Sequence, residues 1–182
     1  MTPPSPSAFL LVDGYNIIGS WQKLLTLRDR KGLEAAREEL IEVLIDYTAY
    51  EGYHTQIVFD AHYRATPGNA EAITESLSVH FTDFGQTADT YIEKACATLR
   101  HELQKFQRRL IVATSDRAQQ LTIIGYGAEW MSAHKLVQEV EFTNHRVRRK
   151  QKSKNKSPSR FLFSSLDPEA QKRLAQMRFG LK

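Results

Sequence analysis

The chain has one cysteine, Cys96, in 182 residues. This excludes an intramolecular disulfide and any cysteine-rich metal centre. A reducing, cytoplasmic setting suits such a chain, and no disulfide-linked partner is expected. Long apolar runs are absent, so no stretch approaches the length of a membrane span. The opening, Met1-Thr-Pro-Pro-Ser-Pro-Ser7, has neither a basic head nor an apolar core. It reads as a disordered leader over residues 1–8 rather than a signal peptide. No G-x-G-x-x-G follows the first apolar run and no G-x-x-x-x-G-K-[ST] occurs, which argues against dinucleotide and P-loop sites. H-E-x-x-H is missing, and the six histidines show no zinc-ligand spacing. Repeats at solenoid periods are also missing.

Acid is absent from one stretch in particular. From His145 to Arg160 there are eight basic residues and no carboxylate, while the rest of the chain carries 17 basic and 21 acidic residues. The overall charge of +4 therefore hides an acidic body with a basic arm. Such an arm suits a polyanion, with strongly salt-dependent binding. It has no large apolar residues between its charges, so membrane insertion is not expected. The bland alternative is a solvated charged tail.

What is present is organised around Phe9-Leu-Leu-Val-Asp-Gly-Tyr-Asn-Ile-Ile-Gly19. The apolar run predicts a buried parallel strand. It stops at Asp13, with Gly14 giving the turn its freedom and Asn16 able to face the same crevice. Ile17 to Lys31 reads as a loop, and Leu33 to Tyr50 as an amphipathic helix ended by Gly52. A second apolar run ends at Asp60, and Asn69 to Glu75 reads as a short helix. Leu77–Phe81 is a third strand. Thr87 is a candidate N-cap, placing Asp89 in the first turn of a long helix. Ile92, Cys96, Leu99 and Leu103 form the stripe of that helix, which makes Cys96 a core residue rather than a nucleophile. A fourth strand, Leu110–Thr114, leads at once to Ser115-Asp116. A helix from Arg117, a short strand at Glu129–Met131 and a helix from Ala133 to near Arg149 complete the pattern. Residues 151–160 read as a solvated linker, and Asp167-Pro168 as the start of a small terminal helix carrying Leu174 and Met177.

The alternation of strands and helices argues a parallel sheet with helices on both faces. Strand ends and helix starts then share one edge, where ligands bind. Asp13, Asp60, Asp89 and Asp116 all belong to that edge. Clustered carboxylates are costly unless one is protonated or a cation binds. Oxygen-only ligation favours magnesium or manganese, which can activate water at a phosphodiester. Asn16, Thr87 and Ser115 could orient water or phosphate. Taken singly, each of these residues also has an ordinary reading as a turn or cap.

These segments resemble the YacP-like NYN-domain family, relatives of PIN-domain nucleases. Leu11-Val-Asp-Gly-Tyr-Asn-Ile-Ile-Gly19, Phe59-Asp-Ala-His62, Thr87-Ala-Asp89 with Ile92-Glu-Lys94, and Ala113-Thr-Ser-Asp116 occur in the family's order. The resemblance covers about residues 9–150 and implies a three-layer α/β/α PIN-like fold and a metal-dependent endoribonuclease. It implies that Asp13, Asp89 and Asp116 bind Mg2+ or Mn2+, with Asn16 a partner of Asp13 and Asp60 a peripheral member. It also connects the chain with messenger RNA and, as context, with the ribosome.

The sequence thus predicts a nuclease domain over 9–150 and a basic extension over 151–182. Single-stranded RNA is the expected substrate. Arg146, Arg148, Arg149, Lys150, Lys152, Lys154 and Lys156 would contact phosphates without reading bases. The rival readings are a catalytically silent RNA- or ribosome-binding module and a structure-specific DNA nuclease. A phosphatase-like α/β protein is a third, which the Asp-Gly-Tyr end of the first strand, lacking Asp-x-Asp, makes less attractive.

Overall fold

Continuous apolar runs demand burial on both faces, and amphipathic stretches demand it on one; the fold meets both demands with a sheet between helices. The computed structural model describes residues 7–61, 69–105 and 107–155. In order these form β1 (Ala8–Asp13), α1 (Gly14–Ser20), α2 (Gln22–Lys31), α3 (Leu33–Glu51), β2 (Tyr53–Phe59), β3 (Ala70–Ala72), β4 (Leu77–Phe81), α4 (Ala88–Lys105), β5 (Arg109–Ala113), α5 (Arg117–Gly125), β6 (Glu129–Met131) and α6 (Ala133–Asn155). The sheet order is β3-β4-β2-β1-β5-β6. All neighbours pair in parallel except β3 and β4. This is the expected three-layer α/β fold with a mostly parallel sheet. The strand begins at Ala8, and Ser7 N donates to Gly52 O at 2.9 Å, so residues 7 and 8 are not part of a disordered leader; residues 1–6 of that prediction lie outside the described residues.

Alternation along each strand divides the core. Leu10, Val12, Ile57, Phe59, Val79 and Ile111 pack on one face with Leu40, Leu44 and Tyr47 of α3 and Leu136 and Val140 of α6. Leu11, Val58, Leu110 and Val112 pack on the other with Ile92 and Cys96 of α4 and Ile123 of α5. Cys96 is buried, as its place on the helical stripe predicts. A polar contact is built into the first face. Tyr47 Oη donates to Glu139 Oε2 at 2.6 Å from a fully buried ring. Tyr47→Phe leaves a half-buried carboxylate short of a donor, and a loss of about 2 kcal/mol is expected. Thermal unfolding of the variant should show a melting point lower by a few degrees; an unchanged value would mean that water replaces the phenol at no cost.

Two local readings are corrected. The predicted loop over Ile17–Lys31 is two helices, α1 and α2. Ile17, Ile18, Trp21 and Leu24 are all buried, a helical stripe disguised by the break at Trp21, whose backbone is extended. The predicted helix over Asn69–Glu75 is instead β3 and a turn. Ile73 N and Thr74 N donate to Leu77 O, while Thr74 Oγ1 accepts from Leu77 N. Pairing to the edge of β4 overrides local propensity there.

The chain divides into two units between Asn144 and His145. The first carries the sheet, with Ala133, Leu136, Val140 and Thr143 as the buried stripe of α6. The second begins with the distal part of α6, where Arg146, Arg148, Arg149 and Lys150 are exposed. Helical backbone continues through Asn155, so Lys152 and Lys154 lie on a helix where a linker is predicted. Lys156 and the predicted terminal helix lie outside the described residues. Among those described, no helix is long and apolar enough to cross a membrane.

Candidate active site

From β1 the sheet extends to β2 on one side and to β5 on the other. The chain leaves these neighbours in opposite directions, which opens a crevice at their carboxyl ends. A cleft of about 490 Å³ lies there, lined by Asp13, Tyr15, Asn16, Asp60, Thr87, Ala88, Asp89 and Asp116. Six of the predicted site residues therefore share one cavity. Ser115 is not among those lining it.

Asp13 ends β1 and caps α1, its Oδ1 accepting from Asn16 N at 3.2 Å. Only 6% of the residue is exposed. Burial raises its pKa to about 7, against the lowering effect of the Asn16 N–H; the charges of Asp89, Asp116 and Asp60 raise it further. Gly14 follows, but its backbone is not in the left-handed region. Its smallness is required for another reason: a Cβ there would lie 2.3 Å from Phe59 Cε1. Close packing rather than turn freedom explains this glycine, which corrects the sequence reading.

Asn16 braces the cleft. Its Oδ1 accepts from Ser115 N at 2.6 Å, tying the β1–α1 corner to the loop after β5. Ser115 Oγ accepts from Ala133 N at 3.3 Å, so the serine fastens α6 to the same loop. Thr87 Oγ1 accepts from Thr90 N at 3.2 Å, the predicted cap of α4, and Asp89 stands in the first turn. Burial raises the Asp89 pKa, followed by the charges of Asp116, Glu93 and Asp60. Asp116 caps α5, with Oδ1 accepting from Ala118 N and Gln119 N.

Two residues of the site escaped the sequence reading. Gln119 is buried, and its Nε2 donates to Asp89 Oδ1 at 2.9 Å while its own N–H meets Asp116. It thus couples two of the acids, and its Oε1 is buried without a partner among the described residues. The signal was the Asp116-x-x-Gln119 spacing of a capping box; the glutamine turns to Asp89 instead of back to the cap. Tyr15 forms a wall of the cleft. Its ring lies 5.0 Å from that of Phe59, and its Oη accepts from Arg37 Nη1 at 2.9 Å.

The donor chemistry fits a hard divalent cation. Every candidate ligand is an oxygen, and the two raised carboxyl pKa values come first from burial and then from neighbouring acids. Asp13, Asp89 and Asp116 each make their hydrogen bonds among the described residues through Oδ1. Their Oδ2 atoms are not used in this way. No three His, Cys, Asp or Glu side chains among the described residues stand close enough to hold one ion as they are. Ligation would need these side chains to move closer together.

Comparisons with known proteins bear on the family and the fold. Residues 10–179 match the family described as YacP-like NYN domain, so the match extends well past Lys150. The protein YacP of Bacillus subtilis is 38% identical over 141 residues, covering 78% of this chain and 79% of that protein. A crystal structure of YacP, also called Rae1, from B. subtilis superposes with a TM-score of 0.65 at 35% identity, covering 94% of this chain and 95% of that one. A tryptophan-to-leucine variant of the same protein gives 0.69 at 32% identity, covering 93% and 99%. The chain belongs to the YacP-like NYN domain family, and with it to nuclease-like modules concerned with RNA.

Proposed function

We propose that this protein is a metal-dependent endoribonuclease that cuts single-stranded RNA in the cleft at the carboxyl end of β1. The observation that carries this reading is the convergence of Asp13, Asp60, Asp89 and Asp116, from four separate places in the chain, on one cavity. An acidic cleft repels a polyanion, so a bound cation favours the entry of RNA. Asp13, Asp89 and Asp116 would hold Mg2+ or Mn2+, with Asp60 at the periphery. When bound, the ion activates water and stabilises charge on the phosphodiester.

The chain's own residues set the geometry. Asn16 and Ser115 hold the two flanking loops in register. Gln119 orients Asp89 by its N–H. Thr87 fixes the start of α4. The basic residues Arg146, Arg148, Arg149 and Lys150, with Lys152, Lys154 and Lys156, would bind phosphates along the strand. The family resemblance supports messenger RNA as the substrate, with the ribosome as the place of presentation and the cytoplasm as the compartment.

The test is cleavage of an end-labelled single-stranded RNA, with its DNA counterpart beside it. RNA should be cut with Mg2+ or Mn2+ and not with excess chelator, and activity should return when metal is restored. Cleavage that persists in chelator would remove the metal from the proposal. A second reading, a silent RNA-binding module, is favoured by one observation: Oδ1 of Asp116 and of Asp89 already serve backbone and side-chain donors. Salt-sensitive RNA binding without cutting would support it.

A further inference from the structure

A second cavity, of about 550 Å³, lies beside the first. It runs along α4 on the face of the sheet carrying β2 and β4, and neither the acids nor the basic arm explain it. Gln56 of β2, His80 of β4, and Tyr91 and Lys94 of α4 help to line it, as do Asp83 and Gln86. The rings of His80 and Tyr91 stack with centroids 4.0 Å apart and planes 18° from parallel. Tyr91 Oη donates to Gln56 Oε1 at 3.0 Å. This directs the glutamine amide and leaves its Nε2 donors without a hydrogen bond among the described residues. Burial lowers the His80 pKa, against the raising charge of Asp83, which favours the uncharged form of the stacked imidazole. Flat rings beside fixed amide donors and a lysine are the chemistry of a nucleobase with its phosphate.

The segment between the two cavities carries the decisive feature. Phe84 is 94% exposed. Exposure of one apolar residue means little by itself; its setting means more. Gln86 N donates to Asp83 O at 2.9 Å, closing a four-residue turn, and Gly85 has φ +82 at its third position. That is the glycine site of a type II turn, with Phe84 at the outer corner. Buried Thr82 pins the turn, its Oγ1 accepting from Ala61 N and donating to Gln86 O. The phenyl ring is therefore held out in water by ordered backbone. Gln86 lines the second cavity and Thr87 lines the acidic cleft. These residues are consecutive, about 3.8 Å apart along the backbone.

We infer that the Phe84 turn and the cavity of Gln56, His80 and Tyr91 form a nucleobase subsite, which stacks and holds a base of single-stranded RNA next to the phosphodiester in the acidic cleft. The inference rests on the RNA-directed part of the proposed function and not on catalysis. Stacking of this kind tolerates any base and fixes the register of the strand at the acids.

The test measures binding, with no cleavage required. Single-stranded oligoribonucleotides carrying 2-aminopurine at successive positions are titrated with the full chain and with Phe84→Ala, Phe84→Tyr and Gln56→Ala, in chelator. Phe84→Ala should weaken binding roughly tenfold and abolish the fluorescence quenching at one position. Phe84→Tyr, which keeps a stacking ring, should behave as the parent does. The salt dependence of Phe84→Ala should match the parent, since no charge is removed. Phe84 is exposed, so the variant keeps the fold, and circular dichroism checks this. Binding by Phe84→Ala within twofold of the parent, with quenching unchanged, would overturn the subsite even if metal-dependent cutting is seen. A Phe84 effect in a protein that never cuts RNA would keep the subsite and remove the nuclease.

Discussion

Replacing Asp13 by asparagine is expected to cut RNA cleavage sharply while making the metal-free protein more stable above pH 7. The loss of cleavage follows from removing a proposed ligand charge at the centre of the cleft, and a drop of about a hundred- to a thousandfold is expected, on the scale of losing an electrostatic contact made in the transition state. The gain in stability has a separate cause. The folded pKa of Asp13 is about 7, raised from 3.8 mainly by burial. Below the unfolded value the carboxyl is neutral in both states and carries no penalty. As pH rises from about 4 to 7, the unfolded chain ionises and the folded one resists. The native state is then progressively destabilised, by up to about 4 kcal/mol once pH exceeds the folded pKa. Asparagine never ionises, and its Oδ1 can still accept from Asn16 N. The variant should therefore melt above the parent at pH 8, with the advantage disappearing near pH 4. Added Mg2+ or Mn2+ should narrow the gap at pH 8, because binding to the native parent stabilises it alone. Melting curves at two pH values, with and without metal, check each part. A variant less stable than the parent at pH 8 would show that the carboxylate is already compensated in the native state.

Phe59→Ala is expected to cost about 3–5 kcal/mol, the largest stability effect of any single substitution near the cleft. The ring is fully buried. It contacts Tyr15 at 5.0 Å and Phe81 at 5.5 Å between centroids. It also fills the space a side chain at Gly14 would occupy. Gly14→Ala alone should cost about 1–3 kcal/mol, since the ring must shift within a packed core. With the ring gone, that clash has no partner. The double variant should therefore be no less stable than Phe59→Ala alone, a strong departure from additivity. Urea unfolding of the four proteins measures this coupling. Additive costs would mean that Gly14 is needed for its backbone and not for the room it leaves to Phe59. Tyr15 rests on the same ring, so Phe59→Ala should also loosen that wall of the cleft.

The sequence by itself determined the α/β architecture, because its apolar runs stop at acids and amphipathic stretches separate them. It determined that Asp13, Asp60, Asp89 and Asp116 belong to one edge, since parallel strands and right-handed crossovers leave no other arrangement. The caps at Thr87 and Asp116 were equally local, needing only a short polar side chain before a helix. Other features depend on neighbours distant in sequence, and only the tertiary structure decided them. β3 exists because β4 offers an edge to pair with. Asn16 and Ser115 brace loops 99 residues apart, and no spacing rule announces such a contact. Gln119 reaches Asp89 across two helices, although its capping-box spacing pointed elsewhere. Gly14 is small because of Phe59, a residue at the end of β2. The acidity of Asp13 follows the same division. An aspartate at a strand end is legible from the sequence, but its raised pKa comes from burial and from three carboxylates that the sheet brings to its side.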